Sequence, residues 1–199
     1  DLLGGEQSGF INEMCFETYQ KILDEAINEL KEDSFKNLEL EKNKFSKKVN
    51  LVFETDLELM FPNNYINSST ERLKLYTQLN KICELDELNS FKLELTDRFG
   101  ALPNVVVELL NSLELRWLAA ALGFDKIVLK KNILISYMMN FNSDEQKKKL
   151  DKLFDYSNLN PNSISFSQKR LADGDRFIVK IKNIDSVSKA IKVLEDINT

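Results

Sequence analysis

The sequence predicts an α+β fold, with a long N-terminal helix, a helical cluster, and an antiparallel sheet of ββα-ββα order covered by helices on one face. Three observations support this prediction. Apolar residues recur at helical spacing in residues 10–31, and three helical segments follow one another between residues 68 and 123. After residue 126, two pairs of strand-like runs are each followed by a helical run.

The N-terminal part of the chain divides into a helix and a linker. Residues 1–9 are rich in glycine and predict a loop, whereas residues 10–31 predict one helix whose apolar stripe needs a partner. Residues 32–48 are rich in Lys, Glu, Asn and Ser, which is typical of a solvated linker. We therefore expect an N-terminal segment at 1–31, a linker at 32–48, and a C-terminal domain at 49–199.

The C-terminal domain begins with short apolar runs. Residues 49–61 contain two of them, which predict two strands or one extended segment. Ser68 and Glu71 then have the spacing of a capping box, in which each side chain satisfies a free N–H group, so a helix is expected to start there. One face of this helix should be lined by Leu75, Tyr76, Leu79, Ile82 and Cys83.

Two further helices complete the cluster. The second is expected at residues 86–99 and ends at Gly100, since glycine readily takes the left-handed conformation that closes a helix. The third is expected at residues 103–123, and its first residue is a proline, which is favoured in the first turn of a helix. Phe91 and Trp117 share a helical register with leucines, which favours a place in the core over a ligand-stacking role.

The last part of the chain repeats one order of elements. Residues 127–138 predict a hairpin, and residues 143–156 predict a helix that Ser143 and Gln146 would cap. The Asp-Gly pair within residues 172–175 predicts the tight turn of a second hairpin. An amphipathic final helix is expected to bury Val187, Ala190, Ile191, Leu194 and Ile197.

The composition excludes several kinds of chemistry. There is no histidine, which removes the commonest general base and the commonest zinc ligand, so we expect no metal site. Cys15 and Cys83 belong to no CxxC pair and are expected to be buried, inert thiols in a cytoplasmic protein. The net charge of −5 disfavours nucleic acid as the main partner, and no apolar stretch is long enough to cross a membrane.

No catalytic site can be assembled from the remaining residues. The many Asp and Glu side chains are best explained as solvated helix faces. The glycine-rich segment at residues 4–9 lacks the lysine and spacing of a phosphate-binding loop. Lys147, Lys148 and Lys149 are flanked by acidic residues, which indicates a solvated helix face.

One charged group stands out, in the string ELTDRFG. Each residue of a helix is rotated by about 100° from the one before it, which places Glu94, Asp97 and Arg98 together beside the apolar stripe of the second helix. The simplest interpretation is a surface pair, because Glu94 and Arg98 are i,i+4 partners that contribute only a few tenths of a kcal/mol. The alternative interpretation is a docking patch that sets register and specificity in a protein interface.

Four strings together cover residues 1 to about 128, namely DLLGGEQSGFINE, FPNNYINSSTERLKLYTQL, LELTDRFGALPNVV and LAAALGFDKI. In this order they resemble the C-terminal part of the bacterial transcription-repair coupling factors, the Mfd family. The first resembles the end of the motif, shared with RecG-like translocases, that couples ATP hydrolysis to movement on DNA. The resemblance makes Gln7 a remnant of that motif and implies no cofactor for this chain, although ATP and Mg are expected for the full-length protein.

The resemblance also implies a function by binding protein. In the family, the last domain docks on the UvrB-like domain of the same protein and masks the surface that recruits UvrA. Glu94, Asp97 and Arg98 match the family positions that contribute to this docking. DNA and RNA polymerase would contact other domains of the full-length protein. The chain departs from the family pattern at residues 63–64 and 67–68, which affects the preceding turn and not the patch.

Two alternative functions stay open at this point. The chain could form part of an ATP-dependent translocase lobe, although no phosphate-binding loop is present. It could also be a DNA-binding module that uses lysines in residues 42–48 together with those in residues 147–149. ATP hydrolysis would identify the first alternative, and salt-sensitive retention on duplex DNA would identify the second.

Overall fold

The computed structural model describes residues 51–139, 141–171 and 174–199. The predicted N-terminal helix, the linker, Cys15 and Gln7 lie outside the described residues. The described residues form two compact units, one of residues 58–110 and one that joins residues 51–57 to residues 111–199.

Five helices and five strands are present in the described residues. The helices are α1 (Ser69–Leu79), α2 (Leu85–Phe99), α3 (Asn104–Ala121), α4 (Asp144–Leu159) and α5 (Val187–Asn198). The strands are β1 (Val52–Thr55), β2 (Lys126–Lys130), β3 (Ile133–Met138), β4 (Ile164–Leu171) and β5 (Gly174–Lys182). The fold is therefore mixed α and β.

The five strands make one sheet in the order β1-β2-β3-β5-β4. The β2–β3, β3–β5 and β5–β4 pairs are antiparallel, but β1 is parallel to β2, with Val52 opposite Lys126. The prediction of a wholly antiparallel sheet is therefore wrong at this edge. A parallel pair needs a long crossover, and the chain between β1 and β2 supplies one through three helices. The second apolar run, residues 57–61, forms no strand.

One face of the sheet, called here the inner face, carries much of the core of its unit. Phe53, Ile127, Leu134 and Val179 are on this face and are almost completely buried. Helix α4 packs on the inner face, because the ring of Phe154 lies 5.0 Å from that of Phe166 on β4. All five apolar residues predicted for the final helix are buried in α5, as expected.

Two predicted helix caps are confirmed. Ser68 accepts a hydrogen bond from the N–H of Glu71 at 3.2 Å, and Ser143 accepts one from the N–H of Gln146 at 3.3 Å. Each serine satisfies one of the N–H groups that have no partner within the first turn of a helix. The caps therefore set the starts of α1 and α4.

The burial predicted for Cys83 is wrong. Helix α1 ends at Leu79, so Cys83 lies in the connection to α2, where it is exposed. Its N–H donates to Glu87 Oε2 at 2.9 Å. Among the aromatic residues assigned to the core, Phe91 is buried, whereas Trp117 is only half-buried.

Candidate protein-interaction surface

Helix α2 separates a buried face from a charged one. Leu88, Phe91 and Leu95 are the buried residues of the helix, and they recur at the spacing expected of an amphipathic helix. Glu94, Asp97 and Arg98 are all exposed. The three residues singled out from the sequence are thus accessible to a partner and are not needed to fill the core.

Arg98 organises this surface through two carboxylates. Its Nη1 donates to Glu94 Oε1 at 2.9 Å, and its Nη2 donates to Glu71 Oε1 on helix α1. The hydrogen bonds to Glu71 and then to Glu94 raise the pKa of the Arg98 guanidinium above its ordinary value. Glu71, Glu94, Asp97 and Arg98 are called the charged cluster below.

The aromatic ring of Phe99 lies beneath the guanidinium. The Arg98 Cζ atom is 4.8 Å from the centre of that ring, within the range of a cation–π contact. Two acidic partners and one ring therefore restrict the rotamers of Arg98. A restricted side chain loses less conformational entropy when a partner binds it.

Tyr65 anchors the end of α2 beneath the cluster. Its hydroxyl group donates to the main-chain oxygens of Gly100 at 3.1 Å and Leu95 at 3.3 Å. The Tyr65 ring also meets the Phe99 ring edge to face, with 5.9 Å between their centres. Burial raises the pKa of the Tyr65 hydroxyl above its ordinary value.

Two residues of this surface were missed by sequence reasoning. The sequence predicts only a capping role for Glu71, but its carboxylate binds Arg98. Leu93 was not singled out, yet it is 73% exposed and lies one turn before Asp97. The sequence could have indicated the exposure of Leu93, because this residue lies off the apolar stripe of α2. Nothing in the sequence pairs Glu71 with Arg98.

The charged cluster presents ionised groups of both signs at the protein surface. An arginine held between carboxylates offers donors and acceptors at fixed positions, which is the chemistry of ion-pair recognition. Within residues 51–139, 141–171 and 174–199, no group of three or more Cys, Asp or Glu residues could hold a metal ion. In that same part of the chain, no helix is long and apolar enough to span a bilayer.

Two of the three lysines at residues 147–149, which the DNA-binding alternative would use, are partly neutralised. Lys147 Nζ lies 3.2 Å from Asp144 Oδ1, and Lys149 Nζ lies 2.9 Å from Glu145 Oε1. Both pairs are on the solvated first turns of α4. This arrangement favours the interpretation of a solvated helix face.

Comparison with known proteins identifies relatives of this chain. Residues 55–151 match the family described as the TRCF domain. The transcription-repair-coupling factor of Rickettsia typhi is 30% identical over 178 residues, which make up 87% of this chain and 15% of that protein. The corresponding protein of Haemophilus influenzae is 34% identical over 131 residues, or 64% of this chain and 11% of that protein. The chain thus spans only a small part of the length of these relatives.

A solved structure shares the fold. The crystal structure of the C-terminal domain of a transcription-repair coupling factor aligns with 78% of this chain and 96% of its own, with a TM-score of 0.54 and 14% identity. At that identity the likeness establishes the fold alone. Taken together, the matched domain and the relatives identify this chain as a member of the TRCF domain family, with residues 55–151 as its TRCF domain.

Proposed function

We propose that this chain is an autoinhibitory protein-interaction domain of a transcription-repair coupling factor. In the resting protein it docks on the UvrB-like domain of the same polypeptide and masks the surface that recruits UvrA. When the protein engages a stalled RNA polymerase, the docked domain is released, which exposes that surface and starts DNA repair. ATP hydrolysis and movement on DNA belong to other parts of the full-length protein.

The exposure of the charged cluster is the observation that supports this proposal. The pair of Arg98 and Glu94 is more than a third exposed on both sides, so the fold gains little from it. Charged groups that contribute little to the fold are free to set the specificity of an interface. The docked domain must also be able to dissociate from the UvrB-like domain, which favours a polar contact over a large apolar one.

Leu93 supplies the apolar part of the proposed interface. A leucine with 73% of its surface exposed gains little from folding and can gain from being covered by a partner. Leu85, at the start of the same helix, is 47% exposed. An apolar side chain surrounded by charges resembles the core and rim of a small protein interface.

The test compares full-length proteins for binding to UvrA. A variant with Glu94→Lys, Asp97→Lys and Arg98→Glu reverses three charges of the cluster without touching the core of the unit. We expect it to bind UvrA at least ten times more tightly than the unmodified protein, because the masking contact is lost. Leu93→Ser alone should change the affinity in the same direction by a smaller factor.

A matched variant controls for net charge. Glu195→Lys, Asp196→Lys and Lys192→Glu make the same charge changes on exposed positions of α5. This control should bind UvrA as the unmodified protein does. Equal UvrA binding by the cluster variant and the unmodified protein, with both folded, would reject the proposed masking.

A further inference from the structure

The second face of the sheet, called here the outer face, is apolar at its centre. The strand register places Val128 opposite Ile135, and Tyr137 opposite Ile178. Side chains alternate between the two faces of a strand, so these four lie on the face opposite to the inner face. All four are half-buried, in contrast to the almost complete burial of the inner face.

An apolar centre is unusual for a face exposed to solvent. Antiparallel sheets with one solvated side carry polar residues on that side, in alternation with the core. Here the middle strands β2, β3 and β5 place branched aliphatic residues and one tyrosine on that face in addition to lysines. Contiguous apolar surface of this kind, with a polar border, marks a site where another molecule binds.

Lysines border this centre. Lys126 and Lys130 lie on β2, and Lys180 and Lys182 lie on β5, all at register positions of the outer face. Of the described strand residues, Glu54 on β1 is the one carboxylate on this face. The face is therefore locally positive in a chain whose net charge is −5.

The carboxylate of Glu54 neutralises only part of that charge. Its two oxygens accept from Lys126 at 2.6 Å and from Lys130 at 3.2 Å, and these bonds lower the pKa of Glu54. One negative charge thus serves two lysines, and the β5 lysines add two more positive charges. An occupant that complements the border must carry acidic groups.

The chemistry of the centre distinguishes between two acidic occupants. Proteins that bind single-stranded nucleic acid use several aromatic side chains on which successive bases stack. The centre of the outer face has one aromatic residue, Tyr137, among branched aliphatic residues. Aliphatic surface is complementary to the apolar stripe of a helix, and a helix about 10 Å across fits over neighbouring strands.

From these observations we propose that the outer face binds an acidic amphipathic helix of a protein partner. Its apolar stripe covers Val128, Ile135, Tyr137 and Ile178, and the carboxylates on its flanks pair with the lysine border. With such a helix bound, the sheet would lie between two helical layers, one on its inner face and one on its outer face. This surface is distinct from the charged cluster on α2, so the inference does not depend on the proposed masking of UvrA recruitment.

The test uses three synthetic helical peptides that share one leucine stripe and differ in their flanking residues. The flanks are glutamate, lysine or glutamine, and the 199-residue chain is the receptor. We expect the glutamate peptide to bind at least ten times more tightly than the lysine peptide, with the glutamine peptide in between. Amide NMR shifts should map its binding to β2, β3 and β5.

A charge swap provides the decisive variant. In the Lys180→Glu, Lys182→Glu protein the order of the three peptide affinities should reverse, so that the lysine peptide binds most tightly. Tight binding of that peptide would also show that the variant is folded. The Lys147→Glu, Lys148→Glu protein, altered on α4, should keep the original order. The proposal is overturned if the three peptides bind equally, if the swap leaves their order unchanged, or if a single-stranded oligonucleotide binds the outer face more tightly than the glutamate peptide.

Discussion

The hydroxyl oxygen of Tyr76 accepts a hydrogen bond from the main-chain N–H of Phe61 at 2.8 Å, and the two rings lie 4.9 Å apart. Both side chains are almost completely buried. This contact joins helix α1 to the segment that follows β1 within the unit of residues 58–110. A buried N–H group that lost this acceptor would have no access to water.

Tyr76→Phe should therefore lower the free energy of unfolding by about 1–3 kcal/mol, the cost of leaving a buried donor unsatisfied. Burial raises the pKa of Tyr76 from 10.0 to about 12. The folded state then holds the phenol proton more tightly than the unfolded state, so this contribution is complete below pH 10 and is lost as the pH rises through 12. Urea unfolding at several alkaline pH values should show that the free energy of unfolding declines less steeply with pH in the variant than in the unmodified chain. An identical decline in both proteins would contradict this assignment.

Glu54 should make the sheet sensitive to acid. The hydrogen bond from Lys126, with a smaller one from Lys130, lowers the pKa of Glu54 below the ordinary 4.5. Its stabilising contribution is thus complete above pH 4.5 and is lost as the pH falls through the lowered pKa. In Glu54→Gln, the stability difference from the unmodified chain should shrink as the pH is lowered through this range. NMR titration should also show the Glu54 pKa rising in Lys126→Gln, and an unchanged value would reject the pairing.

Gly100 should not tolerate a side chain. It ends α2 with φ +85° and ψ −164°, a region that is almost restricted to glycine, although space for a methyl group exists. Gly100→Ala should lower the free energy of unfolding by about 1–3 kcal/mol through backbone strain alone. Asn89→Ala, on the exposed side of the same helix, is the matched control and should have little effect. Equal stabilities of the two variants would show that the backbone relaxes at Gly100.

Cys83 should react readily with thiol reagents. It is exposed in the connection between α1 and α2, so no unfolding is needed for a reagent to reach it. In a Cys15→Ser background, the rate of alkylation of native protein should lie within a few-fold of the rate in denaturant. A native rate slower by orders of magnitude would mean that the thiol is protected.

Local patterns in the sequence predict local structure well in this chain. The stripe of α5 repeats every three or four residues, and all of its predicted members are buried. The caps at Ser68 and Ser143 could be predicted because the donor and the acceptor are three residues apart. Glu94 and Arg98 could be paired for the same reason, since they lie one helical turn apart.

Contacts between distant parts of the sequence could not be predicted in this way. The bond from Arg98 to Glu71 joins two helices across 27 residues, and no periodicity reports it. The parallel pairing of β1 likewise depends on the path of the intervening chain. Cys83 continues the apolar spacing of α1, but the helix ends at Leu79 without a glycine or proline to mark the end.

The position of β1 has a consequence for how the polypeptide acquires its structure. Glu54 and Lys126 are 72 residues apart, so the edge formed by β1 closes one of the longest loops in the domain. Closing such a loop costs more conformational entropy than forming the β2–β3 hairpin, whose strands are neighbours in the chain. During synthesis on the ribosome, β1 therefore emerges early and waits without its partner strand until β2 has been made.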